Sequence, residues 1–129
     1  MRRTAFMIVT TIAIGGCGDP SPLPMAATLE TARPALVAAL DGWKQGLTYQ
    51  ELMDRSPSLY FRDDDLNRSL QLLDYSIEGD GQPNGTGFSF VVSLNIQDRE
   101  GARPPVRKRV AYTVVTRPKT AISREDRNP

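Results

Sequence analysis

Histidine is absent from the 129 residues, and cysteine and tryptophan occur once each, as Cys17 and Trp43. Without histidine the chain lacks the side chain that most often exchanges protons near neutral pH, and the commonest protein ligand for zinc. Ser-His-Asp and Cys-His constellations and histidine-bearing metal centres are therefore excluded. A single cysteine excludes an intrachain disulfide and a cysteine-rich zinc site. No glycine loop is placed to cradle a phosphate or a dinucleotide, because "GDGQPNGTG" precedes an alternating segment and not a helix. Neither charge dominates, with 16 Lys and Arg against 15 Asp and Glu, whereas a dedicated nucleic-acid binder shows a strong basic excess. Nor is there an apolar run of the about 20 residues that a spanning helix requires.

What the chain does have starts with Arg2 and Arg3, an uncharged apolar run over residues 4–14, and then Ile14, Gly15, Gly16 and Cys17. A basic start, a short apolar stretch and small residues at its end are the layout of a secretory signal. Ile14-Gly15-Gly16-Cys17 resembles the lipobox of bacterial lipoproteins, in which the cysteine is acylated and becomes the new N-terminus. The resemblance implies a signal peptide over residues 1–16, lipidation of Cys17 and attachment to a membrane on its periplasmic side. Gly18 in place of Asp after the cysteine favours the outer membrane. Several acyl chains would make the anchoring effectively permanent, since each buried methylene contributes about 0.8 kcal/mol. Loss of Arg2 and Arg3 with the signal lowers the formal charge of +1 by two, which leaves a slightly acidic mature chain. Pro20, Pro22 and Pro24 mark residues 17–27 as an extended spacer.

Residues 28–127 then suffice for one domain with one modest core. Leu36, Leu40, Trp43 and Leu47 recur at helical spacing, with Thr28 or Thr31 to cap the start, Pro34 in the first turn and Gly46 to stop the helix. Thr48 with Glu51 forms a capping box for a second, short helix from Tyr49 to about Arg55. From there the period becomes two. Phe88, Phe90, Val92, Leu94 and Ile96 share one face of a strand, and Val106, Val110, Tyr112 and Val114 one face of another. "SLQLLDYSIE" supplies an earlier strand whose phase slips at Leu72-Leu73, as at a bulge, and "TAISR" offers a short last one. The expected fold is α+β: one long N-terminal helix plus a short helix packed on a curled, three- to four-stranded antiparallel meander sheet. In element order and in the helix "LVAALDGWKQG", the chain resembles the cystatin-like and NTF2-like folds and small bacterial lipoproteins built this way.

Candidate sites follow from these faces. Asp63, Asp65, Asn67 and Asp74 match a calcium-loop spacing, with Leu70 at its apolar position, but Arg68 stands where the loop needs glycine. The acidic run is therefore read as a solvated turn whose carboxylates cap backbone amides, and no metal or cofactor is expected. In "RPPVRKRV" the strand alternation sends Arg107 and Arg109 one way and Lys108 the other. Arg107 and Arg109, with Ser93 and Asn95 on the wetted side of the neighbouring strand, form the expected partner surface for an envelope protein. The NTF2-like resemblance implies a second possibility, an isomerase-like or small-molecule-binding pocket in the cone between helix and sheet. Trp43, Phe88, Phe90 and Tyr112 would line it, with Tyr60, Asp74 and Tyr75 as further polar candidates. The protease-inhibiting hairpin of cystatins has no counterpart, since "PNGTG" follows Gln82 without the valine. The sequence thus favours a lipid-anchored, non-enzymatic interaction or binding module, without nucleic-acid partners.

Overall fold

The computed structural model describes residues 28–125. The signal-like segment, Cys17 and the proline-rich spacer lie outside the described residues, as do residues 126–129. In chain order the elements are α1 (Leu29–Lys44), α2 (Tyr49–Asp54), β1 (Tyr60–Arg62), α3 (Asp64–Asn67), β2 (Gln71–Asn84), β3 (Gly87–Gln97), β4 (Val106–Val115) and β5 (Ala121–Arg124). None of the described helices is long and apolar enough to cross a membrane.

α1 starts where the amide of Thr28 donates to Thr31 Oγ1 at 3.1 Å and ends at Gly46, whose φ of +95° is open to glycine without strain. Pro34 lies inside the helix, beyond the first turn expected from its sequence. It has no N–H for the Glu30 carbonyl, and the helix persists because Ala32, Leu36, Ala39, Leu40 and Trp43 are fully buried along one stripe. α2 carries the Thr48 and Glu51 capping box, with the Glu51 amide on Thr48 Oγ1 at 3.2 Å and the Thr48 amide on Glu51 Oε1 at 3.3 Å.

The sheet corrects the expected antiparallel meander. It has five strands in the order β1-β5-β4-β3-β2, and β1 pairs with β5 in parallel, Phe61 opposite Ile122. The remaining neighbours are antiparallel, so the sheet is mixed, and three helices replace the expected long one plus short one. β1 exists because Phe61 is a wedge: its ring meets Trp43 edge-on at 6.0 Å and Tyr112 at 5.5 Å. β2 also runs further than expected. Its ladder with β3 shifts between Leu72 and Asp74, at the phase slip seen in the sequence, and again between Glu78 and Gln82. The glycine-rich segment read as a loop is thus largely strand, bulged where Gly79 takes a φ of +62°.

All three helices contribute to one core, against Leu72, Phe90, Val92, Leu94, Val110, Tyr112, Val114 and Ile122 of the sheet. Trp43 anchors it and donates its indole N–H to the Leu70 carbonyl at 2.8 Å. The inner face of β4 is covered only in part. Val106, expected inward, is 54% exposed, and the next residue of the same parity is Lys108.

Candidate functional site

β1 ends at Arg62, and Asp63 then turns the chain into α3. Its backbone is extended, and its Oδ1 accepts from the amides of Asp65 at 2.7 Å and Leu66 at 3.1 Å, as an N-cap does. Here the capping carboxylate is itself buried, with no side-chain exposure. Tyr112, on the inner face of β4, donates its hydroxyl to Asp63 Oδ2. Arg124, at the end of β5, donates to Asp63 Oδ1 at 3.3 Å and to Asp65 Oδ2 at 2.7 Å. Lys108 donates to the same Asp65 oxygen at 2.9 Å. One helical turn is thereby tied to two strands distant in sequence by two carboxylates, two cations and a phenol.

Electrostatics set the protonation of the cluster. Burial pushes the Asp65 carboxyl up, but the hydrogen bonds and charges of Arg124 and Lys108 outweigh it and hold Asp65 below the 3.8 of an ordinary aspartate. Burial also works against the charge on Arg124, and Asp65 and Asp63 more than restore it. For Tyr112, burial and then the charge of Asp63 push the hydroxyl well above its ordinary range. At neutral pH Asp65 and Arg124 are therefore ionised and the Tyr112 phenol is neutral.

Beside the cluster opens a cleft of about 800 Å³. The end of β1 and the start of α3 form one wall, with Arg62, Asp64 and Asn67. The other comes from β4 and β5, with Lys108, Arg109 and Arg124. Its polarity distinguishes it from the apolar cone the NTF2-like resemblance implies. Trp43, Phe90 and Tyr112 are at most 1% exposed in the packed core and Phe88 packs against it; none of the four lines the cleft. Of the other polar candidates, Tyr75 donates to Asp41 Oδ1 at 2.7 Å, and burial with Asp41 pushes its hydroxyl up to about 12. Tyr60 lies beneath the Lys119 ammonium at 4.1 Å. Asp74 is exposed opposite Asn95, on the face away from Asp63 and Asp65, so the calcium-like spacing does not converge.

The expected partner surface is brought together. Ser93 stands opposite Arg109 and Asn95 opposite Arg107 across the β3–β4 ladder, on the face that the core does not use. Arg109 there pairs with Glu78 at 2.6 Å, both side chains well exposed. What the sequence reading missed is the burial of Asp63 and Asp65. The available signal lay in parity: Lys108 shares the phase of Val110 and Tyr112, and Arg124 that of Ile122. Cations on an inward face require buried anions. Comparison with protein-family models, with curated proteins and with solved structures finds no match to the chain.

Chemically, the cluster fixes groups in place. Asp63 already accepts from two amides, a guanidinium and a phenol, and Asp65 is held ionised by two cations. A general acid or base works best with a pKa near the operating pH, and the shifts of Asp65 and Tyr112 run away from neutrality. The cleft is built to present charged and polar groups of fixed geometry.

Proposed function

We propose that the protein is a lipid-anchored recognition module of a bacterial envelope. It is attached through Cys17, faces the periplasm, and binds a partner in the cleft between α3 and the β4–β5 strands. The anchor rests on the lipobox-like Ile14-Gly15-Gly16-Cys17, with the outer membrane preferred on Gly18. The observation that carries the recognition reading is the cleft wall itself, where Arg124 and Lys108 are immobilised by Asp65 and so meet a ligand without first losing side-chain freedom. The alternative of an isomerase-like pocket needs a carboxyl that takes up and returns a proton, and both oxygens of Asp63 are already engaged in holding the fold.

The test is photo-crosslinking in the envelope of a host that processes lipoproteins. A photoreactive residue in place of Asn67, in the cleft, is expected to give a discrete adduct, and one in place of Glu30, exposed on α1, none. Equal labelling from both positions, or none from Asn67, contradicts the reading. Within the same experiment Cys17→Ala is expected to leave the membrane fraction or to remain an unprocessed precursor. A Cys17→Ala protein that fractionates like the parent removes the anchor.

A further inference from the structure

β4 runs past the end of its neighbour. β3 pairs with it from Val114 to Val106, but β5 pairs only over Tyr112–Val115, with one further bond from the Glu125 amide to the Ala111 carbonyl at 2.8 Å. Along an antiparallel strand alternate residues aim N–H and C=O to the same side. Arg109 and Arg107 therefore present theirs on the side where Ala111 meets Glu125. Among the described residues no strand pairs with that side at Arg107 or Arg109. Among the described residues the foot of β4 is an open edge, and Lys108, Arg109 and Val110 form a wall of the cleft.

An open edge is a template for an added strand, and its charges select the occupant. A guest strand sends alternate side chains to opposite faces. On one face it would meet Lys108 and Arg124, both held by Asp65, and on the other Arg109, paired with Glu78, and Arg107, so an acidic side chain in either phase stands beside a cation. Arg62 stands across the cleft, and among the described residues the side chains of Arg62 and Arg107 have no hydrogen-bond or ion-pair partner. Asp64 and Glu125 also line the cleft, while Asp63 and Asp65 are spent on Arg124 and Lys108.

We propose that the cleft binds an extended, acidic peptide segment of a partner protein by strand addition to the Arg107–Arg109 edge of β4. This rests on the cleft being the recognition surface and adds the chemistry of what it recognises.

The probes are two synthetic peptides of alternating pattern, Glu-Val and Lys-Val, of about six residues, the usual strand length, offered to the full-length protein in detergent. The Glu-Val peptide is expected to bind saturably, to slow amide exchange at Arg107 and Arg109, and to weaken as salt is raised. Arg109→Pro deletes the N–H that faces the cleft and spares the β3 side of the strand, so affinity should fall roughly tenfold. Arg109→Lys, which keeps the N–H and the charge, should bind nearly as the parent does. Should Arg109→Pro fail to fold, protection of the Arg107 and Arg109 amides in the parent decides the matter. Unchanged binding by a folded Arg109→Pro, with cleft amides still shifting, overturns strand addition and leaves the cleft a recognition surface. Equal binding of Lys-Val, or no binding of Glu-Val, overturns the acidic peptide, while crosslinking from Asn67 separately judges the cleft.

Discussion

Asp63→Ala is expected to destabilise the domain by about 3–5 kcal/mol, the usual cost of removing one partner from a buried ion pair. That is a large share of the about 5–15 kcal/mol that holds a domain folded. The loss arises on three fronts. The Tyr112 hydroxyl, within the core, loses its acceptor. Arg124, 17% exposed, is left with Asp65 alone. The amides of Asp65 and Leu66 lose their cap. Asp63→Asn keeps an oxygen for the amides and gives up the charge, so its cost should be smaller, about 1–3 kcal/mol. Urea unfolding followed by circular dichroism checks both. A loss below about 0.5 kcal/mol for Asp63→Ala, within the range of an ordinary surface change, would mean that the cluster does not hold α3 to the sheet.

Trp43→Ala carries the second large expected effect, also about 3–5 kcal/mol, the range for deleting a large aromatic from a core. Trp43 is fully buried and supports Phe61, which in turn packs edge-on against Tyr112. Its removal therefore loosens β1 and the phenol that fixes Asp63. Trp43→Phe separates the two roles of the indole. It keeps most of the packing and leaves the Leu70 carbonyl without its donor, at about 1–3 kcal/mol. Near-ultraviolet circular dichroism of the core tyrosines, with urea midpoints, distinguishes the outcomes. Equal losses for Ala and Phe would put the energy in the hydrogen bond and not in the ring contacts.

Legibility in the sequence followed length and periodicity. The stripe of α1 and the alternation of β3 and β4 are long enough to reveal their periods, and the slip at Leu72-Leu73 marks a true shift in the ladder. β1 is three residues with a single inward side chain, Phe61, too short to show any period. Its parallel partner β5 lies about sixty residues away, and nothing local encodes that pairing. The expected antiparallel meander failed at this point. The acidic run failed for a different reason. Three consecutive aspartates read as solvated, and the capping role of Asp63 was legible, but burial depends on cations brought from β4 and β5 by the fold. The cone pocket of Trp43, Phe88, Phe90 and Tyr112 followed the right inner face. Its space is taken by Phe61 and the α1 side chains, while the cleft opens where the helical cover ends beyond Val110.

That Asp65, beside the cleft, holds cations in place and exchanges no proton is tested most directly by an NMR titration of its side-chain carboxyl in the folded protein. With its folded pKa held below the unfolded 3.8, Asp65 contributes stability that is complete above the unfolded value and is lost as pH falls through the folded one. The expected curve is flat from neutrality down past 3.8, with protonation only in stronger acid, accompanied by a matching fall in unfolding free energy. A carboxyl titrating near neutral pH, with stability rising as it protonates, would contradict the recognition reading and make Asp65 a proton-transfer group.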